Sequence, residues 1–230
     1  WKRGLPFAFS LSHVRFFKDC LVPILKVGVP IALQDVLVHF SFLFIQIVVN
    51  GMGVVESAAV GVAEKVCGFL MLTASAFMQS ISAFVAHNNG AGLQDRSRKA
   101  LSYGIRMALF SGAVMGALAL FLGDGLATLF SRETGVILAA HSYLKAYAID
   151  CLLTAILFCF VGFFNGCGKT VFVMLQGVIG AFCVRIPVVY LMSALPGATL
   201  FHVGLGTPAS SLVQIALCLL YYRHLQKKGQ

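Results

Sequence analysis

Of the 230 residues, 59% are hydrophobic and only 11% charged, and the mean hydropathy is +0.91. A soluble domain carries about 25% charged residues, so the composition excludes a water-soluble globular fold and predicts an all-α integral membrane protein folded as one bundle. The net charge of +9 does not imply nucleic acid, because most basic residues gather on one side of the membrane.

The chain opens Trp1-Lys-Arg-Gly without a methionine and shows no secretory signal pattern. It reads as a piece of a longer protein. Residues 1–27 carry Lys2, Arg3, Arg15, Lys18 and Lys26 interleaved with Phe16, Phe17, Leu21 and Ile24, which suits a cytoplasmic basic linker or interfacial segment. A six-helix membrane lobe is expected over 28–225 and a short cytoplasmic tail over 226–230. The six spans fall near 28–50, 56–87, 100–123, 137–163, 170–195 and 206–223.

The first span is 23 residues long and mostly apolar, enough to cross a bilayer at about 1.5 Å per residue. Asp35, His39, Gln46 and Asn50 interrupt it at spacings of four, seven and four, so they line one helical face. Ionisable groups at membrane depth are costly and usually functional. Asp35 and His39 form an i,i+4 pair, either a relay for protons or cations or an internally satisfied hydrogen bond. The second span is long enough to tilt or protrude. Glu64 shares its face with Ser57, Gly68, Ser75, Gln79 and Ser82, as a polar path or a close-packing seam. Lys65 lies about 100° around the helix and cannot pair with Glu64 on that helix.

In the fourth span Asp150 stands 13 residues from each end, near the bilayer midplane, with Tyr143, Tyr147 and Thr154 on its face. A carboxylate there can exchange a proton, ligate sodium, or pair with Lys65, Lys145 or Arg185. Arg185 precedes Pro187 by two positions and is expected to bond carbonyls freed by the proline break. Pro30 and Pro187 are expected kinks and hinges. The sixth span starts at Thr207-Pro208, a reasonable helix opening.

Twelve of the 17 basic residues fall in the N-terminal segment, the 88–99 and 164–169 loops and the tail, whereas the opposite loops at 51–55, 124–136 and 196–205 hold only Arg132. That asymmetry places both ends in the cytoplasm. The seven cysteines form no C-x-x-C pair and read as reduced packing residues with no metal. Gly168-Lys-Thr170 lacks the first glycine of a phosphate loop, since position 163 is Phe. No H-E-x-x-H, G-x-S-x-G or G-x-G-D appears, so no enzyme is expected. Asn50-Gly51-Met-Gly53 and Asn165-Gly166-Cys-Gly168 read as glycine helix stops rather than an internal repeat.

Three passages carry a resemblance. Gly28-Val-Pro30-Ile-Ala-Leu-Gln34 opens the first span, and Val85-Ala-His-Asn-Asn-Gly90-Ala-Gly92 closes the second. The third is Phe163-Phe-Asn-Gly166-Cys-Gly168-Lys-Thr170, followed by Val184-Arg185-Ile-Pro187. In order and spacing these resemble the MATE (multidrug and toxic compound extrusion) family, from about Leu25 to Leu225. The resemblance implies the C-terminal six-helix lobe of a twelve-helix transporter whose N-terminal lobe is missing here. It further implies efflux of small organic, often cationic, compounds or drugs across the plasma membrane by alternating access. Coupling would be to sodium or protons, with no other cofactor. Gly90, Gly92, Gly166 and Gly168 fall on the family's turns. The acidic positions of sodium-coupled relatives fall near Val38 and Thr154, one turn from Asp35 and Asp150, so the cation site is not carried over intact. The titrating aspartates of proton-coupled relatives belong to the absent lobe. Asp35, Glu64 and Asp150 are therefore the cation-coupling candidates. His39, Gln46, Gln79, Tyr143, Tyr147 and Thr154 are the cavity-lining candidates. A flippase for a lipid-linked precursor, from the same wider superfamily, is the alternative.

Overall fold

The computed structural model describes residues 17–227, and every regular element among them is helical. In order these are α1 (Lys18–Asn50), α2 (Val54–Gly90), α3 (Gln94–Phe121), short α4 (Gly123–Thr128) and α5 (Thr134–Gly166). Then come α6 (Thr170–Val178), a π-helical stretch (Ile179–Arg185), α7 (Ile186–Ser193), α8 (Leu200–Gly204) and α9 (Gly206–Lys227). Taken as continuous rods, six helices are long and apolar enough to cross a membrane, as a multi-pass membrane protein requires. In lipid the backbone must bond to itself, and helices meet that demand within one segment.

Several boundaries differ from expectation. The first helix begins at Lys18, ten residues before Gly28, so residues 18–27 are helical and continuous with α1. The reason is local: Leu21, Ile24 and Leu25 continue the apolar run, and Pro23, inside the helix, does not end it. The remainder of the expected linker lies outside the described residues. Pro30 also stands inside the uninterrupted α1. The irregularity falls instead just before Pro187, as the π-helical stretch. The sixth rod starts at Leu200 rather than 206 and includes the α8 turn. The expected tail begins inside α9, which runs to Lys227.

At the centre is α5, buried over 72% of its most apolar window. Its half toward Thr134 packs Tyr143, Leu144 and Tyr147 against Ile45, Val60 and Val66, and its other half packs Phe160, Phe163 and Phe164 against Val85, Leu101 and Val173. Glycines bring neighbouring backbones close. A Cβ at Gly112 or Gly116 of α3 would lie 2.8 Å from the Cys151 carbonyl or 2.9 Å from that of Ala148. At Gly166 of α5 it would lie 2.6 Å from the Ser82 carbonyl, and at Gly162 it would run into the Met78 carbonyl of α2. Apolar surfaces gain nothing by leaving lipid for each other, so such small-residue contact is what holds membrane helices together.

The two turns at the basic end share one design. After α2, Leu93 N donates to Asn88 O at 2.8 Å and Gly92 has φ +74°; after α5, Lys169 N donates to Phe164 O at 2.8 Å and Gly168 has φ +70°. Both glycines occupy the left-handed region that closes helix C-termini. Gly90 is different: a Cβ there meets nothing within 4 Å, and neither space nor backbone conformation requires glycine.

At the opposite end His141 of α5 contacts Asp124 Oδ1 of α4 through Nδ1 at 2.8 Å and the Leu120 carbonyl of α3 through Nε2 at 3.0 Å. His141→Ala is expected to lower the thermal midpoint, at about 1–2 kcal/mol for the lost charged and neutral hydrogen bonds. A thermal scan of the purified protein with unchanged midpoint would count against this tie.

Candidate functional site

Asp150 lies 16 residues from each end of α5, about 24 Å along the axis either way at 1.5 Å per residue, and is 3% exposed. Its carboxylate accepts two hydroxyl hydrogen bonds: Ser211 Oγ of α9 donates to Oδ1 at 2.6 Å, and Thr154 Oγ1 donates to Oδ2 at 3.1 Å. Among the described residues it has no direct ion-pair partner. Lys65 and Lys145, the other basic partners considered for it, are exposed, and Lys65 stands over the Phe130 ring instead.

Arg185 reaches the same region from the end of the π-helical stretch. It lies near enough to Asp150 to feel its charge without forming a direct pair. The expectation that it bonds proline-freed carbonyls is corrected: Nη1 donates to Ser41 Oγ of α1 at 2.9 Å, and the guanidinium sits 4.4 Å from the centroid of Phe42. Its Nε is buried without a partner. Ser210 of α9 takes over the carbonyl work, donating to Gly180 O at 2.8 Å, and Gln214 donates to Ser210 at 2.9 Å. A π-helical stretch leaves carbonyls displaced from the regular ladder, and the α9 serines address both that stretch and Asp150.

Tyr143 is 2% exposed on α5, in the same core cluster as Tyr147 and Cys151, and Glu64 of α2 is half-buried. Oε1 of Glu64 is buried with no hydrogen-bond partner. Thus Asp150, Thr154 and Ser211 form one hydrogen-bonded group on α5 and α9, with Tyr143 and Tyr147 buried on the same helix as Asp150, and among the described residues no hydrogen bond links Glu64 or His39 to it.

Asp35 does not join them. It is exposed on α1 beside Val36, His39, Phe40 and Leu43, and the anticipated side-chain pair is absent: His39 Nδ1 donates to the backbone carbonyl of Asp35 at 2.7 Å. Gln46 and Asn50 are spent on packing. Gln46 Nε2 donates to Ser57 Oγ at 2.9 Å, and Ser57 Oγ donates to Asn50 Oδ1 at 2.6 Å, fastening the end of α1 to the start of α2. Gln79 is exposed further along α2.

Reading by sequence missed Ser211, Ser41 and Ser210. The spacing of Ser210, Ser211 and Gln214 within one apolar span was the available signal. It also missed Gln176 of α6, which is 1% exposed with both amide atoms unpartnered.

The sequence model of the family described as MatE matches residues 30–191. Among curated proteins the chain is 26% identical over 232 residues to the probable multidrug resistance protein YoeA of Bacillus subtilis, covering 100% of this chain and 50% of that one. It is 28% identical over 219 residues to the multidrug export protein MepA of Staphylococcus saprophyticus, covering 92% of this chain and 45% of that protein. The chain therefore spans about half the length of the curated relatives it matches. Among solved structures, a MOP superfamily transporter from Pyrococcus furiosus superposes with a TM-score of 0.80 at 18% identity, over 87% of this chain and 44% of that one. A MATE protein in complex with MaL6 gives 0.84 at 16% identity, over 94% and 49%.

Proposed function

Because the chain belongs to the MatE family, we propose that it is the C-terminal half of a multidrug exporter, completed by a second six-helix lobe. In this reading the exporter expels organic, cationic compounds across the cell membrane in exchange for sodium ions or protons, by alternating access. The basic end lies in the cytoplasm.

One observation carries the proposal. Asp150 is a carboxylate at mid-height, held by two neutral hydroxyls with no direct ion-pair partner among the described residues. A buried carboxylate is stabilised by a counter-ion or by protonation, and a site that trades one state for the other can be driven by an ion gradient. The hydroxyls of Ser211 and Thr154 orient it. Glu64, with an unpartnered buried oxygen, is the second carboxylate of the path, while Asp35 is exposed on α1. The names of YoeA and MepA speak for drugs rather than lipid-linked precursors as cargo.

The test uses the complete transporter in liposomes, following efflux of a fluorescent organic cation under an imposed sodium gradient and then a proton gradient. Transport under one gradient supports the reading; none under either sinks it. Within that assay Ser211→Ala is expected to slow coupled transport about tenfold, because a hydrogen bond to a charged group contributes about 1.5–3 kcal/mol, while Ser211→Thr retains most of it. Equal rates for Ser211→Ala and the parent would remove Ser211 from the site.

A further inference from the structure

Arg106 of α3 takes no part in the site described above, and its position is a costly one. From Met107 to Phe121 the helix carries no charged residue, a run of about 22 Å at 1.5 Å per residue. A hydrocarbon core is about 30 Å thick, so with Phe121 at the opposite surface the backbone of Arg106 lies within the apolar layer, near its edge at the basic end. The helix packs against α2, α4 and α5. Arg106 stands on its uncovered side, exposed among Tyr103, Met107 and Phe110, which are 62%, 61% and 72% exposed. Its guanidinium lies 5.7 Å from the centroid of the Tyr103 ring, one turn nearer the basic end. A long basic side chain at the rim of the hydrocarbon leans toward the headgroups in this way. One turn further along the same face Lys99 is exposed as well.

Neither Lys99 nor Arg106 has an ion-pair partner among the described residues, and an aromatic ring is no counter-charge. Asp95, the acidic residue nearest on this face, belongs to the first turn of α3, where the helix N-terminus favours it. Two cations along one strip at headgroup depth attract an anionic group. A guanidinium presents a planar fork that fits phosphate oxygens in pairs, an ammonium adds a point charge, and the phenol of Tyr103 between them can donate a further hydrogen bond. Met107 and Phe110 continue the strip toward mid-membrane as an apolar bed. Charge at the surface with apolar contact below it suits a lipid, whereas a soluble anion would use only the charge. We propose that the outer face of α3, through Lys99, Tyr103 and Arg106, binds the headgroup phosphate of an anionic phospholipid in the leaflet at the basic end. The proposal does not depend on drug transport.

The experiment places a reporter beside the strip: Phe110→Trp, one turn deeper than Arg106, in the complete transporter. The protein is reconstituted in vesicles of equal parts phosphatidylglycerol and phosphatidylcholine, with bromine on the acyl chains of one lipid or the other. The fluorescence that Phe110→Trp adds over the parent is expected to be quenched more by brominated phosphatidylglycerol. The preference should be at least about fivefold, which is what one basic side chain near the surface contributes. Lys99→Gln combined with Arg106→Gln should bring the preference close to one, while Arg132→Gln, exposed at the opposite end, should leave it unchanged. Equal quenching by the two lipids, or a preference kept in full by the double variant, overturns the proposal. So does an absence of quenching by either lipid, which would mean that protein covers this face. Should the double variant fail to fold, Lys99→Gln alone decides: the preference is expected to fall at least about twofold and Lys99→Arg to retain it.

Discussion

Asp150→Asn in the complete transporter is expected to abolish cation-driven efflux, a loss of at least about 100-fold, or about 2.7 kcal/mol, in a protein that still folds. Asparagine keeps the volume, and its one carbonyl oxygen can still accept the hydrogen bond that Ser211 donates at 2.6 Å. It cannot hold a negative charge, so it can neither bind sodium as an anion nor take up and release a proton. Thr154, which donates at 3.1 Å on the other side, would turn its hydroxyl to accept from the new amide. The protein should thus keep its midpoint in a thermal scan while losing gradient-driven transport of a fluorescent organic cation in liposomes. Transport undiminished by the substitution would move coupling to the other lobe and leave Asp150 as a structural charge beside Arg185. Glu64→Gln in the same assay is informative, because Oε1 of Glu64 is buried with no hydrogen-bond partner. A partial effect there is the sign of a shared path.

The second large effect is structural. Gly162→Leu is expected to prevent accumulation of folded protein, because any Cβ at this position runs into the Met78 backbone carbonyl of α2. A flexible side chain can move aside for a new methyl, whereas two helical backbones in contact must separate along their length. Overpacking a close core costs about 1–3 kcal/mol and occasionally more, and here it strikes the seam between α2 and the central helix. Size-exclusion chromatography of detergent extracts measures it: a parent-like monodisperse peak for Gly162→Leu would show that the crossing tolerates separation. Gly90→Ala is the matched control, since a Cβ there meets nothing within 4 Å, and it should be neutral or slightly stabilising in its helix.

The membrane class, the six-rod bundle and the family were legible from the residues because a bilayer imposes strong, local rules. About 20 apolar residues must be continuous, and glycines must stand where a backbone turns left-handed, as at Gly92 and Gly168. The depth of Asp150 was readable for the same reason, since its distance from the helix ends is a matter of counting. The polar stripe on the first span was harder. Asp35, His39, Gln46 and Asn50 do share a face, but α1 meets α2 through Gln46 and Asn50 while Asp35 stands exposed. Periodicity tells which residues share a side and not what that side faces.

Alone, then, the sequence determined that the chain is a bundle of six long apolar helices and which end of it is basic, because each depends on residues within one segment. Tertiary structure alone decided the partners: Ser211 reaches Asp150 across 61 positions, and Arg185 reaches Ser41 across 144. Those contacts exist because α5 lies at the centre of the packing and the π-helical stretch turns Arg185 toward α1. No pattern within a single helix encodes how its neighbours are arranged around it.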